Sequence, residues 1–106
     1  MVISPIIKNC KNILQSHYGV RFHGLFLYGS IARGQEKDSS DIDLLVLLSP
    51  PFDYFEEMRR IIEILYPIQL KSARLISAKP AAVDEFESGK FHLYRIVKRE
   101  GIAAWS

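Results

Sequence analysis

The run Asp41-Ile42-Asp43-Leu44-Leu45-Val46-Leu47-Leu48 restricts what this chain can fold into more than any other stretch. Read as a strand, it points successive side chains to opposite faces, with Asp41, Asp43, Leu45 and Leu47 on one and Ile42, Leu44, Val46 and Leu48 on the other. Both faces then need an apolar cover, which is the situation of a central strand flanked by helices in an α/β chain. The two acids stand side by side at the open end of that strand. Carboxylates so close to a core need a reason to be there.

The residues before the run offer one. Val20 to Tyr28 reads as a strand, with Gly24 a candidate bulge; a turn follows at Gly29 and Ser30, then a helical turn over Ile31 to Arg33 and a polar loop from Gln35 to Ser40. Two neighbouring carboxylates repel each other, and a divalent cation between them relieves the repulsion. Mg²⁺ in particular is held by one or two carboxylates together with substrate phosphates. Gly29 permits close backbone approach, and the Ser30 hydroxyl and the first N–H groups of the following turn suit phosphate oxygens. Arg33 and Lys37 are in range of a triphosphate, or are solvated loop charges. The competing reading of the acids is that they cap the edge of the sheet or pair with Arg33 and Lys37.

Gly29-Ser30, ten residues, then Asp41-Ile42-Asp43 preceded by Ser40 and followed by an apolar run, together with Ala32-Arg33-Gly34, resembles the signature of the DNA polymerase beta superfamily of nucleotidyltransferases. The similarity is to its smallest members, the minimal nucleotidyltransferase (MNT) domains, antitoxin-like partners of helical HEPN proteins. The resemblance implies a small mixed sheet flanked by helices. It also implies a nucleoside triphosphate, ATP or another, with its phosphates on Gly29, Ser30 and Arg33, and Mg²⁺ or Mn²⁺ on Asp41 and Asp43, which would be the catalytic acids. Such enzymes hold two metal ions with three carboxylates, the third on the strand after the second helix. Here the pattern departs: no Asp or Glu occurs between Glu63 and Asp84, and the strand expected over Ile68 to Ile76 offers Gln69, Lys71, Ser72 and Arg74. A cation from Lys71 or Arg74 facing the acids would compete with metal by direct charge compensation.

The remaining chain supplies the frame. Ser4-Pro5 starts a helix running to Tyr18, with a capping hydroxyl and proline at the first position, and Gly19 ends it. Cys10 lies on its apolar face as a core residue rather than a nucleophile. Pro50-Pro51 stops the second strand, and Asp53 with Glu56 caps a second helix. Phe55, Met58, Ile62 and Leu65 form its expected buried stripe, while Glu56, Glu57, Arg59, Arg60 and Glu63 face water. Pro67 is expected to break it. A last helical region from Pro80, interrupted at Gly89, ends at Gly101, and Ile102 to Trp105 adds a short edge strand. His17, His23 and His92 lack neighbours at metal-ligand spacing.

Composition narrows the function classes. A net charge of +2 over 106 residues, with no dense stripe of Lys and Arg, argues against nucleic acid as the partner. One cysteine excludes an internal disulfide and suits a reducing cytoplasm. No stretch approaches the roughly 18 to 20 apolar residues that span a bilayer, and no signal-peptide pattern opens the chain, so a cytoplasmic location is expected. Residues 1–106 are read as a single domain, leaving no second domain to grip an acceptor. The expected function is therefore transfer of AMP from ATP to a hydroxyl of a separate HEPN-type protein, or of a second copy of the chain. The alternative, favoured by the missing third acid, is a weak or inactive nucleotide-binding or interaction module.

Overall fold

The computed structural model describes residues 3–35, 37 and 39–104, with side chains from residue 5 onward. The expected Ser4 cap, Glu36 and Asp38 of the polar loop, and Trp105 at the end of the edge strand lie outside the described residues. Helix α1 (Ile3–Tyr18) leads through a 3-10 turn (Gly19–Arg21) into strand β1 (Phe22–Tyr28) and the single-turn helix α2 (Gly29–Ala32). Strand β2 (Ile42–Leu48) follows, then α3 (Tyr54–Leu70), β3 (Ile76–Ala82), α4 (Val83–Ser88), α5 (His92–Glu100) and β4 (Ile102–Ala103).

The strands form one mixed sheet in the order β3-β2-β1-β4. β1 and β2 pair antiparallel, with Tyr28 opposite Asp43, and the register slips between Phe22 and Gly24, where the bulge was expected. β2 and β3 pair in parallel, which requires a crossover, and α3 provides it. β4 adds the second edge, antiparallel to β1.

The two faces of β2 are covered as its alternation demands. Ile42, Leu44, Val46 and Leu48 are packed with Cys10, Leu14 and Tyr18 of α1 and Ile61, Ile64 and Leu65 of α3. Leu45 and Leu47 pack with Phe86 of α4 and Tyr94 and Val97 of α5.

Three expectations for the middle of the chain are corrected. Pro67 does not break α3, which runs on to Leu70. A proline removes one helical hydrogen bond, but here its ring sits on the exposed side while Ile64, Leu65 and Ile68 continue the packed stripe past it. The third strand is consequently 76–82 rather than Ile68 to Ile76, and Pro80 belongs to that strand instead of opening a helix. Ala, Lys and Pro are poor strand formers; pairing with β2 decides their conformation, and an edge position tolerates the missing N–H.

The stripe of α3 is also rotated from the one expected. Phe55 and Ile62 are exposed, whereas Glu57 is only 3% exposed. Glu57 accepts a hydrogen bond from the Tyr18 hydroxyl at 2.5 Å and pairs with Arg60 at 3.2 Å and Arg21 at 4.0 Å. A tertiary partner on α1 draws this carboxylate inward, which helical periodicity alone cannot indicate. The Asp53 cap is present, its carboxylate accepting the Glu56 N–H at 2.9 Å. Gly89 terminates α4 in the left-handed conformation, as its place between two helical segments suggests.

Candidate functional site

Asp43 is the second residue of β2 and lies between Tyr28 on β1 and Ser77 on β3. The chain leaves β1 directly after Tyr28, and it turns at Gly29 with φ at +79°, a conformation that favours glycine. That turn brings the backbone hard against the acid. A Cβ on Gly29 would stand 3.1 Å from Asp43 Cγ and nearer still to Oδ2. The sequence interval between Gly29 and Asp43 is thus closed by the antiparallel pairing of β1 and β2.

Asp41 immediately precedes β2 and is exposed. Its charge reaches Asp43, whose carboxyl is raised above the ordinary carboxylate range by burial first and by Asp41 second. Lys79 and Arg33 act on Asp43 in the opposite sense, so both cations are close enough for their fields to be felt. Among the described residues neither acid forms an ion pair. The Tyr28 phenol, opposite Asp43, is pushed up to about 12 by burial, then by Asp43 and Tyr54.

Ser30 and Arg33 flank the same turn. The carbonyl of Ser30 accepts the Gln35 N–H at 2.9 Å, and Arg33 closes α2 with its N–H on the Gly29 carbonyl at 3.2 Å. The Arg33 guanidinium is exposed and donates to Gln35 Oε1 at 3.3 Å. Gly29, Arg33, Asp41 and Asp43 are therefore neighbours, with Ser30 one residue beyond Gly29. Lys37 is exposed, and its backbone N–H donates to Ser40 Oγ at 2.8 Å.

Lys71 and Arg74 take other positions than the one considered for them. Lys71 caps the end of α3. Arg74 Nη1 donates to the carbonyls of Lys37 at 2.7 Å and Ser40 at 3.0 Å, fastening the loop that leads into Asp41. The cation whose field reaches Asp43 from β3 is Lys79, which sequence reasoning passed over. Its only signal was alternation with Ser77 along a strand that could not be located without the β2 register. His23 bonds Ser49 Oγ, while His17 and His92 are exposed.

Among the described residues no three His, Cys, Asp or Glu side chains cluster in a way that could hold a metal. Two carboxylates, one against a glycine cradle, fit a hard cation that takes its remaining oxygens from phosphate and water, the habit of Mg²⁺. A cleft of about 540 Å³ lies elsewhere, between Pro50, Phe52, Tyr54, Pro80 and Tyr94, and none of the five expected site residues lines it. Convergence of charge singles out the neighbourhood of Gly29 and Asp43.

Known proteins resemble this chain in sequence and in fold. A Methanocaldococcus jannaschii protein that bears the provisional name of a protein adenylyltransferase is 32% identical over 96 residues, covering 90% of each chain. In fold, the chain is similar to a Sulfolobus solfataricus protein solved as a provisional nucleotidyltransferase, with a TM-score of 0.71, 17% identity, and 98% and 80% coverage. It is similar also to a chain of a toxin–antitoxin structure with AMP-PNP, with a TM-score of 0.56, 20% identity, and 93% and 73% coverage. The family model described as polymerase beta, nucleotidyltransferase matches residues 8–95. Over that span, with the mixed sheet and the glycine turn facing an acid, the chain belongs to the polymerase beta nucleotidyltransferase family.

Proposed function

We propose that this chain binds a nucleoside triphosphate, ATP first among them, with Mg²⁺, and transfers AMP to a hydroxyl of a partner protein. Gly29, Ser30 and Arg33 receive the phosphates; Asp41 and Asp43 hold the cation and are the catalytic acids. The observation that carries this reading is the backbone of Gly29 pressed against Asp43 while Asp41 adds a second charge and no ion pair occupies either acid among the described residues. Two neighbouring acids without an ion pair among the described residues suit a cation that arrives with its ligand.

Each residue has a separable task. Gly29 lets a phosphate approach the backbone without a side chain in the way. Arg33, exposed and beside the turn, neutralises phosphate charge. Mg²⁺ held by Asp41 and Asp43 would supply charge stabilisation to the phosphoryl group as a Lewis acid. In the net reaction the acceptor oxygen bonds the α-phosphorus, the bond from that phosphorus to the bridging oxygen breaks, and pyrophosphate and a proton leave. The acceptor is proposed to belong to a helical HEPN-type protein, with the chain acting as the antitoxin-like half of a cytoplasmic pair; the provisional name of the M. jannaschii relative supports transfer to protein.

A second reading is favoured by one observation. β3, where the family resemblance implies a third carboxylate, carries Ser77 and Lys79 beside Asp43 and no acid, which fits a nucleotide-binding module of low activity. Thermal unfolding with and without ATP and Mg²⁺ tests both readings, since a ligand selective for the folded state raises its melting temperature. A rise that is absent in Asp41→Asn/Asp43→Asn supports the site; no rise at millimolar nucleotide overturns it. Incubation with labelled ATP and a co-encoded helical protein then distinguishes transferase from binder.

A further inference from the structure

We propose that Lys79 supplies a fixed positive charge beside Asp43, so that this site seats one divalent ion beside the nucleotide and not two. The inference rests on the nucleotide site proposed above and concerns its ion count. Lys79 is half-buried on β3, two residues beyond Ser77, the residue in register with Asp43. Alternation along the strand places Ser77 and Lys79 on the face of Asp43, with Lys79 a diagonal neighbour of the acid.

Among the described residues Lys79 has no ion pair and no side-chain hydrogen bond. Its field, the larger of the two opposing cations, reaches Asp43, and Arg33 adds another from the side of α2. Asp43 thus already feels two permanent cations before any metal arrives. One divalent ion escorted by phosphates is still attracted. A second would lie near Lys79, where like charges oppose it in a partly desolvated setting.

Direct counting of Mn²⁺ tests this. The protein is saturated with AMP-PNP, and bound Mn²⁺ is measured by calorimetry and electron paramagnetic resonance for wild type, Lys79→Gln, Lys79→Arg and Asp41→Asn/Asp43→Asn. One ion is expected per wild-type complex, unchanged in Lys79→Arg, while Lys79→Gln gains a second ion or binds Mn²⁺ roughly tenfold tighter. Two ions in wild type, or a folded Lys79→Gln that matches wild type, overturns the proposal; should that variant not fold, the wild-type count decides alone. If wild type retains no more Mn²⁺ or nucleotide than the double Asn variant, the nucleotide site itself fails. If wild type exceeds the double variant but Lys79→Gln changes nothing, only the role of Lys79 is lost.

Discussion

A methyl group on Gly29 meets two obstacles, a backbone held at φ +79° and the Asp43 carboxylate where the methyl must go. Gly29→Ala is therefore expected to cost about 1–3 kcal/mol of stability by denaturant titration and to remove any nucleotide-dependent rise in melting temperature. Asp43 carries an opposite signature. Its folded-state carboxyl is raised by burial and by Asp41, so ionisation is less favourable in the fold than in the unfolded chain. At neutral pH the ionised group subtracts stability, and the penalty fades as pH falls through the raised value. Asp43→Asn should accordingly raise the ligand-free melting temperature at neutral pH, with a gain that shrinks on acidification, while abolishing metal-dependent nucleotide binding. Cys10 is buried and its thiol is pushed up to about 12 by burial; it should resist thiol reagents at pH 8 until the protein unfolds. That residue was legible in the sequence because apolar periodicity alone placed it in the core.

At the scale of elements, α3 shows where periodicity misleads. Its phase was expected to bury Phe55 and Ile62, yet the helix is turned so that Glu57 faces inward to Tyr18. Burial, together with the Glu57 carboxylate that accepts its hydrogen bond, holds the Tyr18 phenol above the ordinary tyrosine range. Removing one member of such a contact strands the other in a dry setting. Glu57→Ala should lose about 2–3 kcal/mol by denaturant titration, more than the roughly 1 kcal/mol expected for Tyr18→Phe, because Arg21 and Arg60 also lose their partner. Strand β3 was illegible for a related reason. Its residues Ile76–Ala82 include Ala, Lys and Pro, and only the parallel ladder with β2 makes them a strand. The helix-strand order on either side of β1 and β2, by contrast, followed from caps, glycines and apolar spacing.

Across the whole molecule, the site depends on segments distant in sequence. Asp41 is set by the loop before β2, and Arg74 from the loop before β3 holds the Lys37 and Ser40 carbonyls of that first loop. Arg74→Ala should speed hydrogen exchange at the Ser40 amide and weaken, without abolishing, the nucleotide-dependent thermal shift, since the loop that presents Asp41 loses a clamp while Asp43 keeps its strand. Apolar groups at Ile62, Tyr66, Leu70 and Leu75 remain exposed in the chain taken alone. Among the described residues no helix is long and apolar enough to cross a membrane.

The amino-acid order determined the central strand, the glycine turn and the pair of acids, because period-two alternation, φ-tolerance and residue spacing are local properties that need no third dimension. It also determined that no carboxylate lies between Glu63 and Asp84. Tertiary structure decided which residues occupy the strand beside Asp43, which face of α3 is inside, and that Lys79 of β3 acts on Asp43. Those outcomes depend on pairing and packing between segments far apart in the chain, and such long-range partners outweigh the weak local preferences of the residues themselves.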